Sequence, residues 1–502
     1  MRTGSSEGPH RERARLDRAL VGGLAYTGAT KWLGQLLSWG STLVVARLLS
    51  PADFGLVAMA SIYFGLVTLV NEFGLAAAVV TRHDLTDDQI AQLNTLSVLM
   101  GLAALAVSCG VAAPLADFFG APSLRWVVVT MSLAFVITAF QTVPAALMQR
   151  DLEFRSLALL EGCQALVMAG SMVLLAELGA GYWALVLSNV AGSAVLAALV
   201  LAKRAHRFSR PRFGELRGAL SFSTDIVVGR LAWYAQTNAD SLVVGRVLGQ
   251  AALGAYTIGL TLASVPMDKI AAVTSKVAPG VLSAVKADAA ALRRYLFMLT
   301  EALALITVPL AWGVALLADD IVLLLLGETW RGAAAPLQLL AILASLRPGA
   351  SLLPQILNVT GRSGAVMVNS VLSAVVLPAG FVFGSQWGTV GIAAAWLVLY
   401  PFMVLPMYWL VLRSIEMSPG HYLSAMWPAV SASLVMVAAV EACRSFVDPA
   451  WDLPLRVSLA VAAGAGAYGV VLLTAYRERL RGISRFLQGV RSHASVVENS
   501  AP

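Results

Sequence analysis

The chain has 502 residues, of which 58% are hydrophobic and 13% charged; its mean hydropathy is +0.77 and its formal net charge +7. A soluble globular chain is nearer half apolar and about 25% charged, so a soluble enzyme, a disordered chain, a collagen-like repeat and a disulfide scaffold are all excluded in favour of a polytopic membrane protein. Apolar runs extend well past the roughly 20 residues that carry a helix across hydrocarbon, without the alternation of barrel strands. Five stretches hold no charge at all: Trp126–Met148, Gly181–Ala202, Val247–Met267, Ser363–Gln386 and Trp387–Leu412. Filling in the remainder predicts an all-α protein with about 14 transmembrane helices, starting near residues 20, 54, 90, 124, 156, 181, 220, 248, 295, 333, 363, 387, 423 and 455.

Lys and Arg orient these helices. With the N-terminus in the cytoplasm, inner segments hold 25 basic residues and outer segments 6, with Lys31, Arg230, Lys269 and Arg347 inside helices. Both termini are therefore expected inside. The basic charge is spread over loops, which makes it a topology signal and points to no nucleic acid. Lys31 interrupts the first apolar run, so that run reads as a retained helix and not a cleaved leader. The expected organisation is a cytoplasmic tail (1–18), an N-lobe of helices 1–6 (19–202), a basic cytoplasmic linker (203–218), a C-lobe of helices 7–12 (219–412), helices 13 and 14 (413–476) and a second cytoplasmic tail (477–502).

Two lobes are implied by an internal repeat. Leu43-Val-Val-Ala-Arg-Leu-Leu-Ser-Pro-Ala-Asp-Phe-Gly55 aligns with residues 242–254 at an offset of 199, with seven of thirteen positions identical. Leu115-Ala-Asp117 and Leu317-Ala-Asp319 follow at 202, and Pro144-x-x-Leu147 and Pro354-x-x-Leu357 at 210. An even number of helices per unit gives both copies one orientation, the parallel-repeat plan of some transporters.

The same offset equates two intramembrane cations. Lys31, Gln35, Ser38 and Thr42 map onto Arg230, Tyr234, Thr237 and Ser241. The spacing i, i+4, i+7, i+11 puts each set on one helical face. A mid-helix cation costs roughly 2.5–3.5 kcal/mol and normally faces a bundle interior or a wet cavity. A central cavity with a positive wall is one reading, with Arg347 a third cation. Pairing of Lys31 or Arg230 with Glu72, Asp225 or Asp240 is the other. Glu72 and Asp240 are candidates for a coupling H⁺ or Na⁺, or are structural counter-ions. Asp225, Glu161 and Glu301 fall within two turns of their predicted helix starts and are expected at the interface, in reach of water. Three scattered cysteines and five loop histidines suggest neither disulfide nor metal centre, and no cofactor is expected. Walker, H-E-x-x-H and G-x-S-x-G motifs are absent from the sequence.

Several stretches resemble Wzx-type polysaccharide flippases, in the colanic-acid-exporter-like branch of the multidrug/oligosaccharidyl-lipid/polysaccharide exporter superfamily. They are Ser50-Pro-Ala-Asp-Phe-Gly55, Phe73-Gly-Leu-Ala-Ala-Ala-Val-Val-Thr-Arg82, Leu147-Met-Gln-Arg-Asp-Leu-Glu-Phe154, Gly179-Ala-Gly-Tyr-Trp-Ala-Leu-Val186, residues 238–249 and Gly327-Glu-Thr-Trp330. The resemblance implies two six-helix lobes around a cationic cavity, plus two further helices. It also implies movement of an undecaprenyl-diphosphate-linked oligosaccharide across the bacterial inner membrane, with other polysaccharide-assembly proteins as partners. Lys31, Arg230, Arg347, Gln35 and Tyr234 are the expected substrate-binding residues. A polytopic polymerase or ligase is disfavoured by the short external loops, and a drug antiporter by Lys31 and Arg230.

Overall fold

A computed structural model describes residues 34–71, 75–82, 84–212, 224–264, 288–448 and 450–482. All the regular elements there are helices. The chain forms two compact units, Met1–Gly254 and Ala255–Pro502. Nine helical stretches among the described residues are long and apolar enough to cross a membrane; one of them, 363–414, contains two successive helices.

In the first unit, α1 (34–48) leads through a two-residue break into α2 (Pro51–Asn71). The Asp53 carboxylate accepts from the Ser50 backbone N–H at 3.0 Å, and the Ser50 hydroxyl accepts from the Asp53 N–H at 3.3 Å. This reciprocal cap, with Pro51 in the first turn, starts α2 three residues before the expected position. It also gives the Ser50-Pro-Ala-Asp53 signature a physical role. After α2 comes α3 (Leu75–Thr81), which buries Leu75 and Val79 against Val143 and Leu147.

Thr86 and Gln89 form a complete capping box at the head of α4 (Asp87–Phe119), and Gly120, at φ 65°, ends it in the left-handed conformation. Next come α5 (Leu124–Arg150), α6 (Phe154–Glu177) and α7 (Trp183–Lys203). The predicted seventh helix is interrupted. It comprises α8 (Thr224–Thr237), a turn at Asn238, α9 (Ala239–Val243) and a π-helical turn over Val244–Leu248. Beyond Gly249 the chain is helical again over 250–264, designated α10.

The second unit contains α11 (Ala289–Leu316), the short α12 (Ala318–Leu325), α13 (Ala334–Ala350), the short α14 (Leu353–Val359), α15 (Ser363–Gly384) and α16 (Gly388–Ser414). They are followed by α17 (Pro419–Phe446) and α18 (Leu453–Ala475), with one further turn at 477–482, designated α19. One core of this unit gathers Leu292, Leu296, Ile356, Leu357, Val411 and Tyr422. Val371, Val375 and Val382 are each more than half exposed on α15, as a lipid-facing flank requires. Buried hydroxyls donate back to their own helices, as Ser132 does to the Val128 carbonyl at 2.7 Å and Thr307 to Leu303 at 2.8 Å, so no hydroxyl donor of these two reaches the apolar surroundings unpaired.

Helix starts reproduce the sequence repeat: residues 51 and 250, 87 and 289, 124 and 334, 154 and 363, 183 and 388. The offsets grow from 199 to 210 over the first three pairs, in step with the aligned motifs. The caps preceding the second pair, Thr86 and Asp288, lie 202 apart. The packing units divide after Gly254, so α8 and α9 pack within the first unit although the repeat equates them with the first helix of a second copy.

Glu301 is not in reach of water, contrary to what its predicted place near a helix start implied. Helix α11 starts six residues earlier than expected, at Ala289, because Asp288 caps it; Glu301 is then more than three turns inside and only 4% exposed. The Arg479 guanidinium holds it at 3.0 Å and also donates to the Ser424 carbonyl, tying α19 to α11 and α17. Arg479→Ala strands a buried carboxylate and is expected to cost about 1–3 kcal/mol. Adding Glu301→Gln should recover much of that loss. Thermal unfolding in detergent reads both, and equal midpoints for the Arg479→Ala variant and wild type would refute it.

Candidate translocation site

The candidate residues sit on interrupted helices. On α8 the Arg230 side chain is exposed and has no ion-pair partner among the described residues. One turn on, the Tyr234 hydroxyl donates to the Ile62 carbonyl of α2 at 3.1 Å, and more weakly to Ser61 at 3.4 Å. This crossing is open only because residue 65 is glycine: a Cβ there would lie 2.1 Å from the Tyr234 oxygen. Tyr234 therefore sits at a helix–helix seam, with its hydroxyl committed to backbone acceptors.

Thr237 is exposed, with its hydroxyl returned to the Trp233 carbonyl at 2.7 Å. Asn238 then breaks the helix and donates its side-chain N–H to the Tyr234 carbonyl at 2.9 Å. Ser241 is 6% exposed beyond the break. The expected single polar face is thus continuous only to Thr237, because the turn at Asn238 resets the helical phase. π-Helical turns such as Val244–Leu248 recur at functional sites. Here the turn packs Gly245 against Phe119.

Asp240 is 1% exposed, and its carboxylate accepts from the Ser241 backbone N–H at 2.6 Å. Ten residues separate it from Arg230, about 15 Å along a helix, with the Tyr234 seam between. Arg230 and Asp240 do not neutralise one another. Asp225 lies in α8, and its side chain falls outside the described residues, as do Lys31 and Glu72 entirely. On α1, Gln35 and Thr42 are half-buried and Ser38 is exposed; Thr42 donates to the Ser38 carbonyl at 2.7 Å.

Arg347 belongs to the second unit. It is half-buried near the end of α13, with its guanidinium 5.7 Å from the centre of the Trp396 ring, a cation–π distance. Two residues on, the Tyr422 and Tyr408 hydroxyls crowd Gly349; a Cβ there would approach them to 2.4 and 2.8 Å. The Trp396 partner escaped sequence reading, since nothing local links positions 347 and 396. No group of three or more His, Cys, Asp or Glu able to hold a metal occurs among the described residues.

The crossing that decides the relation between the repeats lies at the head of α2. A Cβ on Gly55 would come 1.7 Å from the Gln250 carbonyl oxygen, and one on Gly254 would come 1.8 Å from that of Pro51. Pro51 and Gln250, like Gly55 and Gly254, are equated by the 199-residue offset. The duplicated segment therefore packs on its own copy reciprocally, as a local two-fold axis requires.

The sequence signature of the polysaccharide biosynthesis protein family matches residues 44–335, a span that includes both copies of this segment. The chain belongs to that family. Among curated relatives, the lipopolysaccharide biosynthesis protein WzxC of Escherichia coli (strain K12) is 23% identical over 393 residues, covering 76% of this chain and 79% of WzxC. The succinoglycan biosynthesis transport protein ExoT of Rhizobium meliloti (strain 1021) is 27% identical over 451 residues, covering 87% and 89%. Among solved structures, the lipid II flippase MurJ in an inward closed conformation superposes with a TM-score of 0.71 at 14% identity, covering 90% of this chain and 99% of MurJ. An inward-facing multidrug resistance MATE transporter gives 0.60 at 14% identity, covering 76% and 95%. This member of the polysaccharide biosynthesis protein family is accordingly a multi-pass membrane protein with the fold shared by these MurJ and MATE structures.

Proposed function

We propose that the protein moves an undecaprenyl-diphosphate-linked oligosaccharide from the cytoplasmic to the outer leaflet of a bacterial inner membrane, for surface polysaccharide assembly. The observation that carries this reading is Arg230: an exposed guanidinium with no ion-pair partner among the described residues, one turn from the Tyr234 seam, in a family of polysaccharide biosynthesis proteins. A guanidinium offsets the dehydration of a diphosphate through charge-assisted hydrogen bonds. Lys31, its counterpart in the repeat, and Arg347 extend the same chemistry, and Gln35 and Tyr234 flank it.

An outward-moving anion gains about 2.3 kcal/mol per charge per 100 mV from a negative-inside potential. Two phosphate charges gain roughly 4–5 kcal/mol by the same arithmetic. Asp240 and Glu72 are the proposed carriers of an H⁺ or Na⁺ that resets the empty site. Both termini and the 203–218 linker lie in the cytoplasm in this reading, with fourteen spans between the tails.

Two measurements test it. Deleting the gene should make lipid-linked repeat units accumulate in the cytoplasmic leaflet while surface polysaccharide falls; unchanged surface polysaccharide would overturn the assignment. A single cysteine placed in the Lys203–Arg217 loop should resist impermeant maleimides in intact cells, and ready labelling there would reverse the topology.

A further inference from the structure

The basic linker after α7 is not a free loop in its first ten residues. It lies across the head of α4 as an extended strap. The Ser209 hydroxyl donates to Asp88 at 2.8 Å, the Ser209 N–H to the Thr95 hydroxyl at 3.1 Å, and the Arg212 N–H to the fully buried Gln92 at 2.9 Å. Positions 88, 92 and 95 recur at i, i+4 and i+7, so α4 presents one polar edge to the strap. Between strap, α4 and the end of α5 remains a cleft of about 730 Å³, within the size range of small-ligand sites.

The charges in this cleft are unequally committed. Arg204 is held by Asp151 at 2.5 Å and Glu153 at 3.5 Å, and Asp88 is occupied by Ser209 and by Gln92. Arg207 and Asp87 are exposed with no side-chain partner among the described residues, and Arg150 has only a loose approach of 3.6 Å to Asp151. The lining therefore offers two available guanidiniums and one available carboxylate. Leu147 and the 55% exposed Phe208 add apolar surface beside them.

We propose that this cleft is a binding site for the headgroup of an aminophospholipid, with Arg150 and Arg207 on the phosphate, Asp87 on the ammonium, and Phe208 and Leu147 along the start of the acyl region. A bare phosphate leaves Asp87 as a like charge beside it; a phosphoethanolamine group satisfies both signs at once. The site lies at the ends of α4, α5 and α7 that carry the basic loops, which is the cytoplasmic leaflet in the proposed topology. It is independent of Arg230 and of the cargo, so export can fail without touching it. Because the strap forms one wall, a bound headgroup also holds the linker against α4.

The test is native mass spectrometry of the full-length protein with phosphatidylethanolamine, phosphatidylglycerol, phosphatidylcholine and sodium phosphate as separate probes. Wild type should retain one phosphatidylethanolamine about tenfold more tightly than the other two lipids, the difference made by one charge-assisted hydrogen bond. Arg150→Gln with Arg207→Gln should weaken phosphatidylethanolamine and phosphatidylglycerol alike, by about tenfold or more. Asp87→Asn, an exposed change that leaves the fold alone, should erase only the preference for phosphatidylethanolamine. Arg293→Gln, in the second unit, should bind as wild type. Equal retention of all three lipids, wild-type retention by the double variant, or displacement by sodium phosphate alone would each overturn the proposal.

Discussion

Arg230→Gln and Arg230→Ala should lose most export at matched protein level, Arg230→Lys should keep a substantial part, and Arg230→Glu should be the most damaging of the four. The series follows from what surrounds the residue. Arg230 has no counter-ion among the described residues, and its distance from Asp240 removes the simplest structural alternative. A charge that is not needed by a partner acid is available to a diphosphate. Lys retains the charge but not the bidentate geometry, so its activity should be partial. A carboxylate places like charge beside the phosphates. Losing one charge-assisted contact of about 1.5–3 kcal/mol corresponds to roughly a 10- to 150-fold drop in occupancy. The readout is surface polysaccharide together with lipid-linked intermediate in the cytoplasmic leaflet. Wild-type export by Arg230→Ala would remove this residue from the site. Rescue of Arg230→Ala by Asp225→Asn would show instead a buried pair, since only then does a second deletion relieve an uncompensated charge.

Gly55→Ala and Gly254→Ala should each impair export by about tenfold, with Gly55→Val worse. Each Cβ would meet a carbonyl oxygen at less than 2 Å, while ordinary contact begins near 3.4 Å. The obstacle is backbone, so no side chain can rotate out of the way and the two helices must part. Overpacking of this kind costs about 1–3 kcal/mol, enough to depopulate the crossed arrangement by one or two decades. Because the two glycines face each other across one crossing, the double alanine variant should cost less than the sum of the singles. Export, protein level and thermal midpoint measured together separate a displaced crossing from a failure to fold. Normal export with Gly55→Val would show that the crossing plays no part in transport.

Much of the architecture is written in local sequence. Charge-free runs locate five helices to within a few residues, because a span needs only length and apolarity, and both are properties of a single segment. The repeat was legible for the same reason: aligned residues sit at equivalent helix heads, as the starts at 51 and 250 and at 124 and 334 demonstrate. The family resemblance rested on motifs whose work is local, such as the Ser50–Asp53 cap.

What the sequence by itself determined was therefore the helical class, the duplication and which charges fall within apolar runs. Tertiary structure alone decided what those charges meet. Spacing put Tyr234 and Ser241 on one face, but the turn at Asn238 separates them, and the Tyr234 hydroxyl goes to Ile62, 172 positions earlier. Glu301 looked water-accessible by its distance from a predicted start, but it is buried, and its partner, Arg479, arrives from beyond the last long helix. Gly55 was one glycine among 42 until the Gln250 carbonyl appeared against it. Hydropathy and periodicity report how each helix partitions between water and lipid. Which helix then lies against which is set by packing between residues far apart in the chain, and no window of sequence holds both sides of such a contact.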